Sequence, residues 1–143
     1  MHEPVLLREV PTIDDWWEAG GGIGLDRAQE LGQGGTLQEL SLSGLRGRGG
    51  AGFPTARKWR SIGQARPETG DRYVVVNAAE GEPGTFKDRA LIRANPYQLI
   101  EGAAIAAVTV GAAKAYIGLK RTFGTEIDRL ERALTEMEAA GLT

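Results

Sequence analysis

The stretch DRYVVVNAAEGEPGTFKDR, residues 71–89, carries two signals in one run. Tyr73 to Asn77 is a short β-branched segment between turn-forming residues, which reads as a buried strand. Asn77 closes that strand, and NAAEGEPGT follows it as a loop. From Pro96 onward, Ile100, Ala103, Ala104, Ala107, Val108 and Gly111 keep helical spacing, with small residues that allow close packing on a sheet. Lys114 to Lys120, KAYIGLK, reads as a second strand. Beyond it, Ile127, Leu130, Leu134 and Met137 give a last helix one apolar face, and Thr125 with Asp128 has the form of a capping box. Strand, loop, helix, strand, helix is a βαβα order, so the expectation is an α/β fold with a parallel pair joined by a right-handed crossover. Two strands leave both sheet edges open, and no third strand is legible. The pattern therefore points to part of a larger α/β unit.

Upstream, residues 12–35 read as short helical pieces broken by GGG at 20–22 and GQGG at 32–35. Thr36-Leu37-Gln38-Glu39 has the form of a capping box and predicts a short helix ending near Gly44. GLRGRGGAGFPTARKW follows at 44–59, with four glycines between 47 and 52. Glycine at that density costs backbone entropy, so the bare main chain must serve something. Pro54 suits the first turn of a helix carrying Ala56 to about Ile62, and QARPETGDR (64–72) reads as a polar turn.

Composition narrows the chemistry. The 143 residues carry a net charge of −2, with 41% hydrophobic and 25% charged residues. That balance gives no support to nucleic-acid binding. There is no cysteine and His2 is the one histidine, which excludes disulfides, thiol catalysis and iron–sulfur ligation by this chain, and leaves no metal site to name. MHEPVLLREV lacks a basic segment leading into an apolar core, so no secretory signal is expected. The longest uncharged apolar run, 102–113, is too short to span about 30 Å of hydrocarbon, and a cytoplasmic location without direct membrane insertion is the expectation.

Gly47, Gly49 and Gly52 satisfy G-x-G-x-x-G, but that fingerprint belongs directly after a strand, with an acid about 20 residues on. Here it follows a helix, and no G-K-[ST] ending makes it a P-loop. Charge is more telling. Between Leu40 and Pro67 lie Arg46, Arg48, Arg57, Lys58, Arg60 and Arg66, with no acid. Loop amides, a helix amino end and these cations together suit a phosphate, although a solvated basic loop fits the charge equally well. Asn77 stands where open α/β sheets place ligands. Glu80, Glu82, Lys87, Asp88 and Arg89 follow it, and a surface turn held by Glu82–Arg89 pairing is the plain alternative.

Taken together, GLRGRGGAGFPTARKW and VVVNAAEGEPGTFKDR resemble the NADH-binding flavoprotein subunit of respiratory complex I, NADH dehydrogenase, and the diaphorase subunits of related hydrogenases and formate dehydrogenases. The resemblance runs over roughly residues 16–143. It implies a partial Rossmann-like domain that holds FMN, accepts hydride from NADH and passes electrons to iron–sulfur clusters. It also implies a division into an amino-terminal helical segment, 1–43, and the amino-terminal portion of the FMN/NADH-binding domain, 44–143. By the same resemblance Gly47, Arg48, Gly49 and Gly50 would lie along the flavin and Lys58 near its ribityl phosphate. Asn77 and Glu80 would contact the flavin, Phe53 would stack on NADH, and Glu82 would face the dinucleotide, with Glu80 and Glu82 the catalytic candidates.

Two departures qualify it. Ala79 stands where the family commonly has an acid, and the family's second glycine-rich, Glu-Glu segment lies beyond AAGLT. The implied partners are NADH, a carboxyl-terminal remainder bearing an iron–sulfur domain, and a thioredoxin-like iron–sulfur protein of the same complex, with attachment to the inner membrane through that complex. A non-catalytic nucleotide-binding or interaction remnant of the same fold is the alternative.

Overall fold

The computed structural model describes residues 8–65 and 70–143. Arg66 and the middle of the expected 64–72 turn lie outside them, as does His2. In chain order the elements are α1 (Ile13–Glu18), α2 (Ile23–Leu42), α3 (Thr55–Gln64), β1 (Tyr73–Asn77), α4 (Lys87–Ala94), α5 (Pro96–Val110), β2 (Lys114–Gly118) and α6 (Gly124–Ala139).

β1 and β2 pair in parallel, with Tyr73 opposite Lys114 and Asn77 opposite Gly118. Among the described residues this is the whole sheet. The strand expected at 73–77 is present, but it is not buried on both faces. Val74, Val76 and Ile117 turn toward the helices. Tyr73, Val75 and Tyr116 stand out on the other face, at 51%, 69% and 51% exposure. A β-branched run predicted burial because such runs usually have cover on both sides; here one side is bare.

Local chemistry explains most element boundaries. Thr12 and Asp15 form a reciprocal capping box that starts α1. Asn95 accepts from the Gln98 amide at 3.0 Å, Pro96 opens α5, and Gly111 ends it in the left-handed conformation. Neither of the two capping boxes expected from the sequence forms. The Thr36 hydroxyl donates back to the Gly32 carbonyl at 2.8 Å, inside α2, and Phe123, not Thr125, caps α6.

GQGG breaks the helical run as expected, and α2 is two helical pieces that meet at a kink. The break falls at Gly32, whose φ of 62° and ψ of −176° are not helical. The expected end near Gly44 holds, since α2 closes at Leu42. The helix α4 was not legible, because its eight residues follow a glycine–proline loop and carry four charges. GGG has a packing reason. A Cβ on Gly21 would lie 2.2 Å from the Trp16 indole, so the chain can pass that ring only as bare backbone.

The core gathers Val10, Trp16, Ile92, Tyr97, Ile100, Leu130, Ala133 and Met137. The amino-terminal segment thus shares one interior with α4, α5 and α6. Trp16 and Tyr97 stack with centroids 6.1 Å apart. The Tyr97 hydroxyl donates to Glu136 on α6. A buried acid, Glu101 on α5, accepts from the Leu25 amide at 3.1 Å, completing the amino end of α2, where Gly22 offers no side chain.

Burial first, and then the Glu136 hydrogen bond, raise the Tyr97 phenol above its ordinary value of 10.0. A raised group stabilises the fold below its unfolded pKa and loses that contribution as pH rises through the folded value. Tyr97→Phe is therefore expected to cost about 1–2 kcal/mol in urea titration near neutrality. It should also blunt the loss of stability that the parent chain shows above roughly pH 10.

Candidate functional site

Three chain segments meet at Arg72, immediately before β1. Its guanidinium donates to the carbonyls of Ile62 (3.2 Å), Gly63 (3.1 Å) and Ala65 (2.6 Å) at the end of α3. Its own carbonyl accepts from the Ala113 amide, just past α5, at 2.8 Å. The Gln33 amide joins the same end through the Thr109 carbonyl, at 2.7 Å. The carboxyl ends of α3 and α5 therefore sit together at the amino end of β1. α3 and α5 pack against each other, and the glycine loop enters α3 at the helix end away from Arg72. Asn77 stands at the end of β1 away from Arg72, opposite Gly118 of β2.

The glycine loop is closed at its base. Arg46 and Pro54 form an antiparallel bridge, Gly47 N donates to Phe53 O at 2.9 Å, Thr55 N to Leu45 O at 3.0 Å, and the Arg46 guanidinium to Gly52 O at 3.0 Å. Within it, the amides from Arg48 to Phe53 find no acceptor among the described residues. Gly50 needs glycine for its backbone, with φ at 86°. Gly47 and Gly49 do not. A Cβ on Gly49 would meet nothing within 4 Å, and one on Gly47 would make only an ordinary contact with Phe53 O at 3.7 Å. The protein itself gives no reason for glycine at these two positions, and the space before them is free. Phe53 is half exposed, with the Arg57 guanidinium 5.6 Å from its ring centre. Lys58 is exposed on the first turn of α3, whose amino end has no side-chain cap.

The acidic loop leaves the sheet in a fixed way. The Asn77 side chain accepts from Ala79 N at 3.1 Å, and Ala78 N donates to Gly118 O at 2.9 Å. Glu80 is then the one non-glycine residue with positive φ among the described residues, at 47°. Its carboxylate is buried and both oxygens are taken, by Asp88 N at 2.9 Å and Arg89 Nε at 2.8 Å. Lys120 Nζ donates to its carbonyl at 3.0 Å.

Arg89 thus pairs with Glu80, not with Glu82 as the plain surface-turn reading had it. The reason is reach: Glu82 has turned outward, and its own carbonyl accepts from the Thr85 hydroxyl at 2.8 Å. Glu82 is exposed, and its carboxylate pairs with no described residue. Arg89 also lies between two rings, 4.2 Å from Phe86 and 4.8 Å from Phe123. Lys120 and Phe123 gave no sequence signal, because they act across about 40 residues.

An apolar concavity lies elsewhere. A groove of about 900 Å³ runs between α5, α6 and the helix-facing side of β2, lined by Ala104, Ala107, Ala115, Ile117 and Leu134. Small aliphatic walls suit a packed element, not a phosphate, and the polar ends of the strands suit a ligand better.

These features define a class: an open, partial Rossmann-like α/β unit with a cationic, amide-rich loop before α3 and an acidic loop at the carboxyl end of β1. Residues 40–142 match the family described as the Nuo51 FMN-binding domain (Complex1_51K), and the chain belongs to that family. It is 44% identical to an NADH-quinone oxidoreductase component of Rhizobium meliloti over 99% of its length, covering 34% of that protein. It is 41% identical to the mitochondrial NADH dehydrogenase [ubiquinone] flavoprotein 1 of Dictyostelium discoideum over 96% of its length and 28% of the relative's. Among solved structures, an NAD+-reducing [NiFe]-hydrogenase in its H2-reduced state matches with a TM-score of 0.76 and 36% identity, over 95% of this chain and 23% of the other. The chain thus spans about a third or less of the proteins it matches.

Burial raises the Glu80 carboxyl, but its hydrogen bonds from Arg89 and Asp88 and the Arg89 charge outweigh this and hold it below its ordinary value of 4.5. A depressed carboxyl stabilises the fold above its unfolded pKa and ceases to do so as pH falls through the folded value. Carbon-detected NMR titration of Glu80 should give a midpoint below 4.5. In Arg89→Gln that midpoint should move upward, and the acid-side loss of thermal stability should begin at higher pH.

Proposed function

We propose that this chain is the amino-terminal part of an NADH-oxidising flavoprotein, and that its glycine loop and acidic loop form one half of an FMN and NADH site. The observation that carries this is the pair Gly47 and Gly49, where a Cβ would meet no described residue closer than an ordinary contact. A flat ring lying on the loop gives that absence a purpose, because it can approach the main chain only where no side chain intervenes.

In this reading Gly47, Arg48, Gly49 and Gly50 lie along the flavin. The free amides and the uncapped amino end of α3, with Lys58 beside it, take the phosphate. Asn77 and the Glu80 turn meet the flavin from the strand ends. Phe53 offers a ring for adenine. Glu82, exposed and unclaimed, addresses the dinucleotide, while Glu80, with both carboxylate oxygens engaged, shapes the loop. FMN held by Gly47, Arg48, Gly49, Gly50 and Lys58 would supply a two-electron hydride acceptor for NADH that can pass electrons on singly to an iron–sulfur acceptor in a further domain or partner. The residues' share is alignment and exclusion of water, which requires no catalytic histidine or serine.

The remaining strands, the iron–sulfur domain and a thioredoxin-like iron–sulfur protein of the same complex belong to this proposal as partners. So does a cytoplasmic position at the inner membrane, held through a complex; among the described residues no helix is long and apolar enough to cross a membrane. The division at 43/44 then separates helical support from the ligand-holding portion.

The test is a swap in which residues 1–143 replace the matched region of the Rhizobium meliloti relative. The purified protein is expected to carry FMN and to reduce an artificial acceptor with NADH. Gly49→Val should leave its thermal melt unchanged while FMN content falls at least tenfold. Full retention of FMN by Gly49→Val would refute the placement of the ring. A stable swap without flavin or NADH oxidation would favour the non-catalytic remnant, a reading that Ala79 in place of an acid also supports.

A further inference from the structure

Glu80 adopts a conformation that side-chain-bearing residues avoid, with φ at 47°. Such a residue persists only where its surroundings over-determine it. Two of its restraints are local: the Asp88 amide and the Arg89 guanidinium, eight and nine residues on, hold the two carboxylate oxygens. They bind the loop to the start of α4 but not to the sheet.

The third restraint is different. Lys120 lies two residues past the end of β2 and donates to the Glu80 carbonyl across 40 residues, at 3.0 Å. Its ammonium also lies 5.6 Å from the Phe123 ring, which in turn stacks under Arg89. Two cations and one ring therefore join the loop after β1 to the loop after β2, at the strand ends where the candidate site lies. A carbonyl–ammonium bond of this kind is charge-assisted, and it fixes a backbone atom next to Gly81 and Glu82.

We propose that Lys120 is a positioning residue of the candidate site: by holding the left-handed turn at Glu80 it sets the direction in which Gly81 and Glu82 are presented to the dinucleotide. This rests on the FMN/NADH reading of the two loops. The cation has no role in the chemistry itself. Its effect passes through the main chain, so a longer cation that still reaches the carbonyl serves, and an uncharged isostere does not.

The Asp88 amide is a direct reporter. It sits in the first turn of α4, where no helical carbonyl precedes it, and the Glu80 carboxylate is its acceptor. In the 143-residue chain, Lys120→Met is expected to speed hydrogen exchange at the Asp88 amide about tenfold, the loss expected of one charge-assisted bond. Exchange at core amides of α5 should be unchanged, and Lys120→Arg should restore protection. In the FMN-loaded swap protein, Lys120→Met should raise the KM for NADH about tenfold with kcat within twofold, again recovered by Lys120→Arg.

Unaltered exchange at Asp88 in Lys120→Met would overturn the clamp. Faster exchange with an unchanged KM would reduce Lys120 to a structural contact and overturn its role at the site, while leaving the flavin reading intact. A parent swap protein that binds no FMN would instead bring down the reading beneath it, whatever Lys120 does.

Discussion

Everything about the site's layout depends on Arg72. A single guanidinium gathers the carbonyls that end α3, and the same residue's carbonyl holds the chain as it leaves α5. Helix carboxyl ends carry unpaired carbonyls and partial negative charge, so a cation there satisfies both needs at once. Its consequence is directional. The two helices are anchored by their carboxyl ends beside the amino end of β1. The glycine loop enters α3 at the helix end away from that anchor, and Asn77 and the acidic turn leave β1 at the strand end away from it. Neither loop carries that information by itself.

Much of the fold was legible because it rests on short-range physics. Pro96 and Gly111 bracket α5, the β-branched run at 73–77 is a strand, and the second strand lies at 114–118, as the apolar pattern implied. What failed had competing tertiary explanations. Thr36 looked like a cap, yet its hydroxyl serves a carbonyl inside a bent helix. The strand looked doubly buried, yet one of its faces is bare, and periodicity cannot tell whether a neighbour exists to cover it. α4 was hidden behind a loop rich in glycine and proline, with charges that resemble a solvated turn.

The site divided in the same way. The types and positions of the candidate residues could be read, because glycine density, clustered cations and acids at a strand end each have a direct chemical meaning. Their partners could not. Arg89 was visible, but its pairing with Glu80 instead of Glu82 depends on a backbone torsion at one residue. Lys120 gave no signal, since a bond across 40 residues leaves no trace in local spacing. The apolar groove of about 900 Å³ would have misled a search guided by size alone, since it lies against β2 and α6, away from the polar strand ends.

The bare face of the sheet has a practical consequence. Tyr73, Val75 and Tyr116 present aromatic and branched surface to water, beside strand edges that pair with no further strand among the described residues. In concentrated solution such a surface drives chains to pair edge to edge. The colloidal behaviour of the purified chain thus becomes a gauge of how completely any added segment has covered it.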